Sequence, residues 1–401
     1  MMPQQFEGYQ RALRATGRSI PRLLIDLDVL DLNIAAVQQL TSPDLQLRLV
    51  VKSLPSLGLL EYLQKKLNTN KLMVFHQPFI SAISQHLAIN SQQPAKKTDL
   101  LLGKPMPVDT AAYYYRNTPV TDNFNPYSQV QWLVDTEERL IAYLDLAQGL
   151  GCGKSVPRLR LNLEIDVGLH RGGFSNLRGL RAALSLMATH QDSVAFSGLM
   201  GYDPHVVKVP RILRSRQKLQ QAANQFYAAC KTHIKSSHPG LWHDDLTFNG
   251  AGSPTLALHR HPDSPLSEVS AGSAFLKPTT FDLPTLSALT PACFIATPVL
   301  KLFDKTVIPG LEFLPNNRPS CFIYGGYWKA DYHYPKGVKE NKYFGPSTNQ
   351  SLLDLPKDLS LSVGDYVFLR PRQSEFVLLQ FGDILAIRGD RVEAKWSILS
   401  N

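Results

Sequence analysis

The chain has 401 residues, 44% of them hydrophobic and 19% charged, with a formal net charge of +9. That length exceeds one ordinary hydrophobic core and predicts two domains, and the balance is that of a globular protein. Lys and Arg are scattered, which argues against a nucleic-acid partner and leaves attraction of an anionic small ligand; no stretch approaches the ~18 apolar residues of a membrane span, and the N-terminus has no apolar leader. Cys152, Cys230, Cys293 and Cys321 show no metal spacing and read as reduced thiols, which suits a cytoplasmic protein.

Residues 1–20 read as a short amphipathic helix and a linker. Leu23–Leu27 reads as a strand, and Asp28 as the cap of a helix over 29–40. Apolar strands follow at 47–51, 72–75, 99–102, 130–134, 158–165, 196–201, 246–249 and 267–271. Helical periodicity falls between most of them, over 57–67, 79–88, 109–116, 136–149, 176–189 and 211–236. Eight apolar strands separated by helices predict a parallel (β/α)8 TIM-type barrel, with its chemistry at the C-terminal strand ends. After about residue 280 few helical stretches remain. Prolines punctuate short strands at 296–303, 320–324, 365–370, 376–381, 383–388 and 391–399, which predicts a smaller C-terminal β domain. Residues 304–319 and 329–360 read as loops. The division expected is an extension over 1–22, a barrel over 23–278 and a β domain over 279–401, with strand 23–27 free to join the β domain.

The first barrel strand runs into L-R-L-V-V-K-S-L-P and delivers Lys52 to the rim. A lysine there either leaves for solvent or, in a dry place, becomes a nucleophilic amine able to form a Schiff base. The fifth strand leads into E-I-D-V-G-L-H-R-G-G, which brings Arg171 among close-packing glycines; a tight turn with solvent-facing charge is the other reading. After the sixth strand, G-L-M-G-Y-D-P-H delivers Tyr202, Asp203 and His205, and Tyr202 reads equally as a core tyrosine. The seventh ends in F-N-G-A-G-S-P-T and the eighth in V-S-A-G-S. The Gly-rich turn of the seventh, with the Ser253 and Thr255 hydroxyls, and the Gly272–Ser273 turn of the eighth suggest a phosphate cup, because loops after strands 7 and 8 of such barrels often bind phosphate; Asn249, Gly250 and Gly252 are further cofactor-binding candidates. This is an inventory for pyridoxal 5′-phosphate.

Taken in this order, V-V-K-S-L-P, E-I-D-V-G-L-H-R-G-G, G-L-M-G-Y, N-G-A-G-S-P-T and V-S-A-G-S resemble the alanine racemase-like, fold type III pyridoxal-phosphate enzymes. More narrowly, they are similar to the D-threonine aldolase and D-serine dehydratase group. The resemblance implies Lys52 as the cofactor lysine, Arg171 near the cofactor's O3′, Tyr202 near its pyridine nitrogen and the glycines and serines around its phosphate. It also implies a homodimer whose β domain completes the partner's site. The chain departs from that group where a divalent metal is usually bound: the stretch here reads R-P-R-Q-S-E, Arg370 to Glu375. Gln373 and a lone Glu375 make a poor ligand set, so no metal residues are expected.

The expected activity is a lyase acting on a D-amino acid, a β-hydroxy one, by retro-aldol cleavage or β-elimination. Lys52, Tyr202 and Glu375 are the catalytic residues expected, and Tyr327, Lys329 and Gln373 those for the substrate. Glu375 has a bland alternative, an ion pair with Arg370 or Arg372. A racemase is the first rival, with Tyr324, Tyr327, Lys329 and Asp331 as candidates for its second acid/base group. A non-catalytic cofactor-binding protein of the same fold is the second.

Overall fold

The computed structural model describes residues 3–90, 97–153, 156–210, 212–313 and 318–400. Strand β1 (Arg22–Asp26) precedes a closed barrel of eight parallel strands: β2 (Gln46–Val50), β3 (Lys71–Val74), β4 (Asp99–Leu102), β5 (Val130–Val134), β6 (Leu159–Glu164), β7 (Val194–Gly201), β8 (Thr247–Gly250) and β9 (Glu268–Ala271). Each pairs with the next, and β9 closes on β2 with Gln46 opposite Glu268 and Leu49 opposite Ala271. These are the eight strands expected from the sequence. The helix expected over 211–236 runs from Arg216 to Ser237; position 211 lies outside the described residues.

The barrel interior is not uniformly apolar. Arg48 is fully buried, its Nε 2.5 Å from Glu268 Oε1 and its Nη2 2.6 Å from Asp99 Oδ2. Lys71 reaches Glu268 at 2.8 Å and Arg160 reaches Asp99 at 2.7 Å. Burial alone would raise the Asp99 carboxyl, but Arg48, Arg160 and Lys71 hold it well below the usual range. Gln131 and Asn249 complete the layer: Gln131 Nε2 donates to Asp99 Oδ2 at 2.8 Å, and Asn249 Nδ2 to Glu268 Oε1 at 2.9 Å. Each buried charge therefore has partners on other strands of the barrel.

The second unit holds a nine-stranded sheet. Its strands are β1 with β10 (Cys293–Phe303), β11 (Ser320–Tyr324), β12 (Ala330–Tyr334), β13 (Lys339–Glu340), β14 (Gln350–Asp354), β15 (Tyr366–Pro371), β16 (Asp383–Arg388) and β17 (Arg391–Ser397). β1 lies antiparallel to β10 and parallel to β16, with Leu23 opposite Ile384. Two compact units result: residues 37–54, 60–272 and 399–401 carry the barrel, and residues 1–36, 55–59 and 273–398 carry the sheet. The N-terminal segment is part of the sheet unit. Helix Pro3–Ala15 buries Phe6, Tyr9, Ala12 and Leu13, spaced to share one face, in a core with Phe294 and Phe368.

Three local expectations are corrected. The segment 376–381 is not a strand, because Ser374–Leu378 forms a short helix. Residues 329–360 are not all loop, since β12, β13 and β14 lie there. The cap of helix Leu27–Leu40 is Asp26, whose Oδ1 accepts the Val29 N–H at 2.9 Å; Asp28 instead pairs with Arg388 at 2.7 Å.

Candidate active site

Five of the loops that leave the C-terminal ends of the barrel strands carry the residues singled out above. After β2 the chain makes a single turn, Val51–Ser53, with Lys52 at its centre. Lys52 Nζ stands 4.5 Å from the centroid of the Phe75 ring, which gives the amine an aromatic wall. Gly272, just after β9, faces the same turn: a Cβ there would come within 2.9 Å of both Ser53 Cβ and Val50 Cβ. The close approach is what requires glycine.

After β6, Asp166 organises the next loop. Its Oδ1 accepts the Gly168 and His170 N–H groups at 3.0 and 2.9 Å, and its Oδ2 lies 2.9 Å from His170 Nδ1. Burial would raise this carboxyl, but the His170 and Gly168 amides and the His170 ring hold it below its ordinary value. The turn sets the Arg171 guanidinium 5.1 Å over the Tyr202 ring centroid, so these two residues, expected to flank the cofactor, do meet. Tyr202 in turn lies against the Gly-rich turn after β8, where a Cβ on Gly252 would fall 2.7 Å from Tyr202 Cε2. Ser253 is buried, and its Oγ accepts the Gly272 N–H across a long 3.4 Å. Gly250 ends β8. Asn249 is placed differently, since its amide belongs to the polar layer inside the barrel and also donates to Ser270 Oγ at 2.9 Å.

The remaining candidates belong to the sheet unit. Ser273 opens helix Ser273–Leu276, with its Oγ 3.3 Å from Ser374 Oγ. Lys329 Nζ donates to Gln373 Oε1 at 3.1 Å, so those two come together. Tyr327 is exposed, with φ of 49°. Glu375 sits in the first turn of helix Ser374–Leu378, where Ser374 Oγ donates to it at 3.4 Å. Arg370 is held by Asp282 and Arg372 by Asp331, each at 2.7 Å, so neither takes the ion pair considered for Glu375. Among the described residues, no group of three His, Cys, Asp or Glu side chains gathers as a metal set.

One residue escaped the sequence reading. Glu164, the last residue of β6, is only 8% exposed, and burial pushes its carboxyl up to about 7, against the pull of Arg171 and Arg139 and with Asp135 and Asp166 adding to the rise. The sign follows from the folded group holding its proton more tightly than the unfolded one. Its stabilising share is fully present below the unfolded value and disappears as pH rises through about 7. A shift from the ordinary 4.5 to about 7 amounts to about 3 kcal/mol. Glu164→Gln should therefore gain up to about that much over the parent between pH 5 and 8.5 in denaturant unfolding. A stability difference independent of pH would refute the assignment.

Residues 25–274 match the family described as alanine racemase, N-terminal domain. The chain belongs to that family. The alanine racemase family is one of pyridoxal-phosphate enzymes, racemases, aldolases and dehydratases among them. Solved structures with the same fold include D-threonine aldolase from Filomicrobium marinum, at 16% identity and a TM-score of 0.68, covering 94% of this chain and 96% of that one. D-threo-3-hydroxyaspartate dehydratase from Delftia sp. HT23 matches at 15% identity and TM-score 0.67, covering 95% and 97%. Alanine racemase of Clostridium difficile 630 matches at 15% and 0.69, covering 94% and 98%. At such identities these likenesses establish the fold alone. No curated protein matches the chain by sequence.

The donors on the barrel rim suit the family's cofactor. Lys52 offers an amine, Arg171 a fixed cation, and Ser253 a buried hydroxyl beside the Gly272 amide, a donor set whose chemistry fits a phosphorylated aldehyde.

Proposed function

We propose that the protein is a pyridoxal-phosphate lyase acting on a D-amino acid with a β-hydroxyl group, by retro-aldol cleavage or β-elimination. The observation that carries this reading is Lys52 on the turn after the first barrel strand, with Gly272 packed against that turn and the Arg171–Tyr202 pair packed on the Gly252 turn. Bound pyridoxal phosphate supplies an electron sink that weakens the bonds to the substrate's Cα. The chain's own residues bind and move protons around it. Lys52 would hold the aldehyde carbon until the substrate's amine displaces it, and the freed amine would then take a proton at Cα or from the β-hydroxyl. Arg171 would stabilise negative charge on the ring oxygen, and the Tyr202 hydroxyl, too weak an acid to give up its proton, would leave the ring nitrogen unprotonated. Ser253, Gly250, Gly252, Gly272 and Ser273 hold the phosphate, while Glu375, Gln373, Lys329 and Tyr327 take the side of the substrate. In this reading the sheet unit serves the barrel of a second copy in a homodimer, and the protein works in the cytoplasm.

A racemase is the alternative, and it needs a second proton-transfer group facing Lys52. Of the candidates, Asp331 is engaged by Arg372 and by Thr279 Oγ1 at 3.0 Å, and Lys329 by Gln373 at 3.1 Å, which leaves Tyr327 and Tyr324.

The test is direct. One portion of the holoprotein is reduced with borohydride and mapped by mass spectrometry, and an unreduced portion is assayed with D- and L-amino acids. The expected result is an adduct on Lys52 and a carbonyl product from a D-β-hydroxy amino acid. An adduct elsewhere removes the site. A product that is only the enantiomer moves the protein to the racemases, and a Lys52 adduct with no turnover makes it a binding protein. Full activity from a strict monomer would remove the dimer.

A further inference from the structure

The loops after β7 and β8 are joined by a buried polar link that the chemistry above does not use. Asp203 follows Tyr202, and Thr255 lies three residues beyond Gly252; the two are 2% and 0% exposed. Thr255 Oγ1 donates to Asp203 Oδ1 at 2.7 Å. A hydroxyl has one proton, so with that proton on Asp203 the oxygen's lone pairs are left to accept, and the Gly252 N–H donates to it at 3.2 Å. The other carboxylate oxygen, Asp203 Oδ2, lies 2.7 Å from His259 Nε2, and His259 Nδ1 lies 3.0 Å from Ser264 Oγ. The chain of contacts thus runs from Tyr202's own loop to the amide of the glycine on which the Tyr202 ring rests.

We propose that Thr255, held by Asp203, is a positioning residue that fixes the Gly-rich turn against Tyr202 and so sets the distance between the sites for the cofactor's ring and its phosphate. The inference rests on the cofactor reading given above. It also reassigns Gly252: its amide is committed to Thr255, and its contribution is the missing Cβ that admits the tyrosine ring. Anion binding then falls to the neighbouring groups of the turn rather than to the Gly252 N–H. A link of this kind matters for a ligand anchored at both ends and little for one anchored by the ring alone.

That difference supplies a readout which a purely structural role would not move. Apoprotein is titrated with pyridoxal phosphate and, separately, with pyridoxal lacking the phosphate, following absorbance. In the parent the phosphate form binds far more tightly. In Thr255→Val the preference for the phosphate form should fall roughly three- to tenfold, the equilibrium worth of about one hydrogen bond. Thr255→Ser, which keeps the hydroxyl, should restore it. Should the valine variant fail to fold, Asp203→Ala, which removes the acceptor for the Thr255 hydroxyl, carries the same measurement and the same expected direction. An unchanged preference in a folded variant, or equal weakening of both ligands, overturns the proposal and leaves the cofactor reading intact. A parent protein that does not bind pyridoxal phosphate through Lys52 overturns both.

Discussion

Lys52→Ala is expected to lower kcat by about a thousandfold or more, since on the proposed reading it removes both the group that holds the cofactor covalently and the base. The fold should survive, because Lys52 lies on a single turn outside β2, while that strand's buried anchors are Leu47, Arg48 and Leu49. Lys52→Arg makes the sharper control. It keeps a cation beside the Phe75 ring but offers no free amine at working pH. Both variants should retain cofactor only by its phosphate and ring, and both should resist labelling by borohydride. Turnover within tenfold of the parent in either one would remove Lys52 from the chemistry.

Glu375→Gln is expected to cost about two orders of magnitude or more in kcat, with thermal stability nearly unchanged and activity that survives a chelator. A divalent ion would assist a β-hydroxyl by lowering its pKa, and it would need several well-spaced ligands. The stretch around Glu375 offers a neutral amide, a hydroxyl and one carboxylate. Asp331 and His333, the acid and the imidazole of β12, are engaged elsewhere: Asp331 pairs with Arg372, and His333 packs against the Phe294 and Phe6 rings at 5.3 and 5.8 Å. On the proposed reading, polarising the hydroxyl then falls to Glu375. Because neither Arg370 nor Arg372 leans on Glu375, the isosteric change breaks no ion pair with either, and a loss of rate reports on proton transfer. If chelation abolishes activity and manganese or zinc restores it, Glu375 is a ligand and not an acid/base group.

The barrel was legible because its signal is local. Each strand is a short, largely apolar run, and most are followed by a helix, so no long-range information was needed. The rim residues came with it, because a parallel barrel fixes which end of each strand does chemistry. What escaped depends on partners distant in sequence. Arg48 reads as a polar interruption of a strand until Glu268 and Asp99 are seen to meet it. Glu164 looked like one letter of a motif, and its unusual carboxyl comes from burial that only the fold imposes. In the sheet unit the strands are less regular. Every residue of β12 is partly exposed, which erases the alternation that marks a half-buried strand. The V-L-L-Q-F run is apolar and short, a length at which helix and strand cannot be told apart by pattern.

The parallel pairing of β1 with β16 bears on the order in which a ribosome can deliver this molecule. A strand from the start of the chain waits beside a place that only the last part of the chain can fill, while every strand of the barrel is made and closed in between. The barrel's neighbours in space are also neighbours in time, so it can settle as it emerges. The sheet cannot. Leu23, Leu24 and Ile25, all wholly buried in the finished protein, stay without their β16 partners through most of translation. That leaves the apolar Leu23–Ile25 stretch, and not the barrel, waiting for strand partners made after the whole barrel.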